Sequence, residues 1–401
     1  MASSYVLLIC GFLPGILSQC SVEKAQPLLK RYVYEFAMEL TTRIAVDQEN
    51  HFIASTLSPW SILSCASYGA DGETLRELKS VLKLHSHECY NDKYFELVKK
   101  VTEGDSSVVI DRSSNIFVDE NLGVSEFFQD AIERIGISTI DTLSFENPEV
   151  AAGTINDYVA RATRKTILDV VVPSDLDGVR LVMVDAVYFK GLWQIPFSYE
   201  TTKVKPFFNE RGAQIGDVNM MWLTGVFNMS YVSLIDAKVL ELPYGPNGRY
   251  SMLVFLPSEG NLLSSMIESL THISLTTIYK IFARDFMQSV NVEIPRFKIA
   301  SDLNNLKDFL FDMGVRSAFD STQAEFPMLS INPLYISNFV QKANIEVNEE
   351  GSIASAATEL GFSARSSPEI FKANRPFFYM IVDTQTEIVL FTGAYSKPSL
   401  Y

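Results

Sequence analysis

The sequence predicts a single α+β domain. Apolar residues at helical spacing dominate the first half, while strand-length apolar runs are interleaved with them and take over the second half, without the regular alternation of strand and helix that marks a parallel α/β fold. The 401 residues, 47% hydrophobic and 20% charged, are enough for a large core. No Pro/Gly/Ser-rich linker, internal repeat or low-complexity tract divides them.

Taken in order, the chain opens on MASSYVLLICGFLPGILSQC, with an uncharged apolar run from Tyr5 to Leu17 and charge resuming at Glu23 and Lys24. This reads as a secretory signal peptide over residues 1–20, cut after Ser18 or Cys20. The run is too short to cross a bilayer, which takes ~20 residues. Residues 21–401 then form the domain, expected outside the cell. Helices follow in PLLKRYVYEFAMEL, in SPWSILSCASYGA after its Ser-Pro start, and in the amphipathic ETLRELKSVL. Ser125 is placed to cap EFFQDAIERI, with Gly136 as its stop, and Asn147-Pro148 begins EVAAGTINDYVARATR. Strands are read in SVVIDRSSNIFV, VRLVMVDAVYF, KVLELPY, YSMLVFLP, VNVEIPRFKI, LYISNFVQKANIEV, FFYMIV and EIVLFTGAY. Several are unbroken apolar runs, as in strands covered on both faces.

Loss of residues 1–20 takes Cys10 and Cys20 with it and leaves Cys65, in an apolar helical run, and Cys89. A buried free thiol is expected at Cys65; a Cys65–Cys89 bridge stays open as an alternative. Asn228-Met229-Ser230 is a glycosylation candidate in a secreted chain. The net charge of −15 is spread along the chain, which argues against nucleic acid as a partner. The short clusters Lys99-Lys100 and Arg161 with Arg164-Lys165 read as solvated faces.

Motifs for chemistry are missing. The sequence has no Gly-rich nucleotide loop, no phosphate loop, no His-Glu-x-x-His and no Gly-x-Ser-x-Gly, and only four His occur. His85, His87 and Cys89 alternate in a polar stretch without a second half-site, which is a poor metal motif. Neither an enzyme nor a cofactor is expected.

The unusual segment is VNEEGSIASAATELGFSARSSPEIFKANRPF, residues 347–377. Extended, it puts Ser352, Ala354, Ala356, Thr358, Leu360 and Phe362 on one face, small at first and uncharged, and Ile353, Ser355, Ala357, Glu359, Gly361 and Ser363 on the other. Such a segment can enter a sheet with its first set inward, yet its Ala, Ser and Gly content holds no strand firmly by itself. Arg365-Ser366 then offers a cationic side chain next to a small residue, which suits the acidic specificity pocket of a trypsin-like protease.

The stretches LSPWSIL (57–63), INDYVARATRKTILDVV (155–171), RLVMVDAVYFKGLWQIPF (180–197), VLELPYG (239–245), IPRFKI (294–299), NIEVNEEGSIASAAT (344–358), FKANRPFFYMI (371–381) and IVLFTGAY (388–395) together resemble the serpin family over essentially the whole mature length. The resemblance implies three β-sheets surrounded by about nine helices, with an exposed reactive-centre loop at about 349–370. It implies that the loop is bait: a protease cuts it, and the cut loop enters the main sheet as a new strand with the acylated protease attached. Counting seventeen residues from Glu349 puts the bait bond at Arg365-Ser366, with Phe362, Ser363, Ala364 and Ser367 as neighbouring subsites. A strand of that length spans roughly 55 Å at ~3.3 Å per residue.

The hinge, Glu349, Glu350, Gly351, Ser352, Ala354, Ala356, Ala357 and Thr358, is similar to that of inhibitory members. Ser58 and Ser61 fit the family's shutter, and Trp193 its breach, where Arg296 is expected to pair with Glu349. Where the family commonly has Asn and His at the shutter, this chain has Asp185 and Gln341, whose amide is expected to serve the buried carboxyl. The helix carrying NDKYFELVKKV balances three Lys with an Asp and a Glu, so no strong heparin binding is expected. The partner implied is a trypsin-like serine protease in a covalent 1:1 complex, the chain itself being a monomer. The rival readings are a non-inhibitory carrier or storage protein and a cross-class inhibitor of cysteine proteases.

Overall fold

The structure, a computed structural model, describes residues 20–351 and 367–401. Among these, nine helices surround three sheets. The helices are α1 (Val22–Asp47), α2 (Leu57–Ala66), α3 (Gly72–Leu82), α4 (Glu88–Thr102), α5 (Glu126–Ile135), α6 (Pro148–Ala162), α7 (Leu263–Leu270), α8 (Leu275–Asp285) and α9 (Leu306–Met313). The strands run β1 (Phe52–Ser55), β2 (Val108–Asp119), β3 (Thr139–Leu143), β4 (Leu181–Gly191), β5 (Lys203–Phe208), β6 (Gln214–Phe227), β7 (Met229–Val232) and β8 (Ala237–Tyr244). They continue as β9 (Tyr250–Pro257), β10 (Gln288–Pro295), β11 (Phe297–Leu303), β12 (Asn338–Val347), β13 (Glu369–Lys372), β14 (Phe377–Asp383) and β15 (Ile388–Tyr395).

The expected caps form. Ser125 accepts from the Phe128 amide, Gly136 ends α5 in the left-handed region, and Asn147 accepts from Val150 with Pro148 in the first turn of α6. One expected strand is two: VNVEIPRFKI breaks at Arg296, and β10 and β11 lie in different sheets. The Arg296 amide still donates to the Asn219 carbonyl of β6, the partner of β10, and the chain changes sheet after it.

The sheets are ordered β1-β15-β14-β9-β8-β7, β13-β10-β6-β5 and β11-β12-β4-β2-β3. In the last of these, the main sheet, period-2 alternation serves two cores. Leu181, Met183 and Val187 of β4 face the main core, while Val182, Val184 and Ala186 face a second core closed by Ala151, Ile155 and Val159 of α6. Coverage on both faces is why these strands read as unbroken apolar runs. Within this sheet β11/β12 and β4/β2 are antiparallel, whereas β12 and β4 are parallel from Asn338↔Val182 to Ile345↔Phe189.

The cysteines depart from expectation. Cys20, expected to be lost with the leader, is disulfide-bonded to Cys89 at the start of α4, and this excludes both the Cys65–Cys89 alternative and Cys89 as a metal ligand. Spacing hid the pair, because the bridge depends on α1 packing across α4. Cys65 is buried and free, and burial pushes its thiol up to about 12. A chain freed of residues 1–19 is therefore expected to show no reactive thiol when native and one when denatured; three would refute the bridge. Reduction is expected to cost about 2–4 kcal/mol of stability.

Candidate functional site: the seam and hinge of the main sheet

The candidate site is built on β12 and the residues that follow it. Beyond Val347 the chain is held by the segment after β4: the Trp193 indole donates to the Asn348 carbonyl at 2.7 Å, the Trp193 amide to the Glu350 carbonyl at 3.0 Å, and the Phe197 amide to the Glu349 carbonyl at 3.1 Å. The Trp193 ring is buried and stacks on Tyr244 with centroids 4.4 Å apart, so the wedge itself is rigid. Gly351 makes the last described contact, a parallel bridge to Trp193. A Cβ there would stand 2.5 Å from the Pro196 Cβ, so the close approach admits glycine alone without movement.

Glu349 is 1% exposed. Its Oε1 accepts from Thr202 at 2.7 Å and faces Arg296 at 3.5 Å, while Oε2 has no hydrogen-bond partner among the described residues. The expected Arg296–Glu349 pair is present but long, because Arg296 also donates through Nε to the Tyr401 carbonyl at 2.6 Å. A buried carboxylate satisfied on one side is a costly arrangement. Glu350 is tied at 2.8 Å to Lys190 of β4, a second tether between the hinge and the strand across the seam.

Near the middle of the seam Gln341 and Asp185 stand opposite each other in register. Gln341 Nε2 donates to Asp185 Oδ2 at 2.6 Å and to the Ser55 carbonyl at 2.9 Å, and its Oε1 accepts from the Ser55 amide at 3.0 Å. One side chain thus joins β12, β4 and the residues leading to α2. Asp185 is completely buried, and burial raises its carboxyl to about 7 against the opposing influence of Arg112, Gln341, Ser58 and Ser114. Its Oδ1 has no hydrogen-bond partner; the Ser58 and Ser114 hydroxyls are near enough to favour the anion without bonding it.

Against this geometry stands a family model described as "Serpin (serine protease inhibitor)", which matches residues 31–398. The chain is a serpin. It is 30% identical over 370 residues to Serine protease inhibitor 2 of Anopheles gambiae, covering 87% of this chain and 88% of that one. It is 32% identical over 345 residues to human glia-derived nexin, covering 84% and 85%. Native protease nexin-1 with heparin superposes with a TM-score of 0.81 at 28% identity, over 93% of this chain and 99% of that chain. Uncleaved ovalbumin gives 0.81 at 25% identity, over 92% and 99%.

In the serpin, Trp193, Arg296, Glu349, Glu350 and Gly351 come together at one end of the seam, and Asp185, Gln341 and Ser58 at its middle, where Ser58 accepts from Ser55 at 3.0 Å. Ser61 stays apart and donates to the Leu57 carbonyl of its own helix. Asn228 is half-buried and its amide donates to Glu241 at 2.7 Å. The hinge residues Ser352, Ala354, Ala356, Ala357 and Thr358, the subsites Phe362, Ser363 and Ala364, and the bait bond Arg365-Ser366 lie outside the described residues; Ser367 is exposed. Sequence reasoning missed Ser55 and Thr202, both polar residues in ordinary contexts, and Arg112, hidden in the polar run Asp111–Asn115 of an otherwise apolar strand.

Proposed function

We propose that this serpin is a secreted suicide-substrate inhibitor of Arg-specific, trypsin-like serine proteases, with Arg365-Ser366 as its bait bond. The protease serine attacks the Arg365 carbonyl, the bond to Ser366 breaks, the new amine leaves with a proton, and Arg365 remains as an ester on the enzyme. The cut segment then enters the main sheet between β12 and β4 before water can hydrolyse the ester.

The observation supporting this reading is the parallel pairing of β12 with β4. A segment leaving the end of β12 and folding back along it would run antiparallel to both strands. Insertion therefore exchanges one parallel ladder for two antiparallel ones, which are slightly more stable per residue, and it adds a strand's worth of hydrogen bonds. The small, uncharged inward set from Ser352 to Thr358 fits such an entry. Secretion is supported by the apolar leader and by a disulfide that needs Cys20 retained, which leaves the cut after Ser18 of the two candidates. Among the described residues no helix is long and apolar enough to cross a membrane.

Mixing the protein with trypsin is expected to give a 1:1 complex that survives boiling in detergent, and Arg365→Ala to abolish it. Quantitative cleavage of the wild-type loop without complex would refute inhibition and leave the carrier reading. Inhibition of a cysteine protease without such a complex would favour the cross-class one.

A further inference from the structure

A cavity of about 660 Å³ lies on the far side of the main sheet from the β12/β4 seam, between the C-terminal ends of α4 and α5, α6 and the residues leading into β3. Its floor is a gap in the sheet. β2 pairs with β4 from Val108 to Val118, but with β3 only from Asn115 onward. Among the described residues the outer edge of β2 from Val108 to Ser114 is therefore left without a strand, and the cavity occupies the missing place.

Arg112 projects from that unpaired stretch into the cavity. It is half-buried, its guanidinium is held below its usual basicity by burial, and among the described residues its side chain donates from Nη2 to the Ile137 carbonyl alone. A guanidinium carries five N–H donors in a planar fork. No carboxylate of the described residues forms an ion pair with it; Asp185 acts on it from farther off. Ile110, Ile132, Ile137 and Ile140 supply an apolar wall. Lys99 stands at the rim beside Gly136, opposed by one exposed acid, Glu133.

We infer that this cavity is a binding site for a small organic acid, whose carboxylate takes the free edge of the Arg112 guanidinium and whose compact apolar body lies on the isoleucine wall. The volume is that of sites for small organic ligands, commonly ~300–1,000 Å³. Arg presents parallel donors that match a carboxylate, and partial burial strengthens the pairing. A neutral ligand of the same shape would leave these donors unmet. An inorganic anion would leave the wall wet. The site is separate from the loop and its seam, so it stands whether or not the protein inhibits a protease.

The test is calorimetric titration of the native protein with 1-naphthoate as probe and 1-naphthalenemethanol as its neutral counterpart. Saturable 1:1 binding of the acid is expected, with the alcohol at least about tenfold weaker, the loss expected when a charge-assisted pair is removed. Arg112→Met should erase the difference between the two probes. Ile140→Trp, which fills the cavity and leaves Arg112 in place, should remove binding of both, and the unfolding temperature of each variant, measured against wild type, separates loss of binding from loss of fold. Equal affinity for acid and alcohol, no saturation by the acid up to millimolar concentration, or undiminished binding in a folded Ile140→Trp protein would each overturn the assignment.

Discussion

Ala356→Arg is expected to leave trypsin cutting the loop after Arg365 at an undiminished rate while the detergent-stable complex all but disappears. Position 356 lies outside the described residues, but in the extended segment it belongs to the inward set. Insertion past that point would drag a guanidinium into the apolar interior beneath the main sheet, at an effective cost of several kcal/mol for an unpaired ion. Each ~1.4 kcal/mol on the insertion barrier slows it about tenfold. Hydrolysis of the ester is unaffected, so the protease escapes and the loop is spent as substrate. The measurement is residual trypsin activity against the molar ratio of added protein, with gels run alongside. The number of molecules consumed per protease should rise by about an order of magnitude or more. A variant that titrates trypsin one for one would refute loop entry as the trapping step.

The second large effect is at Asp185. Its carboxyl is at about 7 in the folded protein against 3.8 for the free side chain. Between these values the folded state holds a proton that the unfolded state has released, so the contribution of Asp185 to stability is greatest below about pH 4, falls as pH rises through the window, and levels off above about pH 7. The full drop is on the order of 4 kcal/mol, at 1.36 kcal/mol per unit. Asp185→Asn keeps the shape and an oxygen for Gln341 but cannot ionise. It should flatten this part of the profile and leave the protein more stable than wild type at pH 8 by a comparable amount, with little difference at pH 4. Urea midpoints at several pH values decide it, and a wild-type slope surviving in the variant would sink the account. Because the Gln341 bond crosses the seam, the same titration changes what must be broken for a strand to enter.

How much of this was legible in the sequence depends on how local the cause is. Caps at Ser125 and Asn147, the stop at Gly136 and the doubly covered strands follow from residue type and spacing, and the structure forms them as read. The meeting of Asp185 with Gln341 and of Arg296 with Glu349 was accessible through the family pattern, although the length of the second contact was not, since it reflects competition from the Tyr401 carbonyl. The break at Arg296 was marked in the sequence by the missing Pro295 N–H and by a change of phase in the apolar alternation, from Val290, Val292 and Ile294 before it to Phe297 and Ile299 after it, and was read through all the same. Arg112 was invisible for another reason. Its importance comes from the strand that is not beside it, and no stretch of sequence encodes an unpaired edge that the packing of α4, α5 and α6 creates.

The Cys20–Cys89 bond reaches beyond stability. It forms only where thiols are oxidised. The same polypeptide made in a reducing compartment would carry both as thiols, with the start of α1 held to α4 by packing alone. The oxidation state of this pair in protein isolated from its source thus reports on the compartment in which the chain folded.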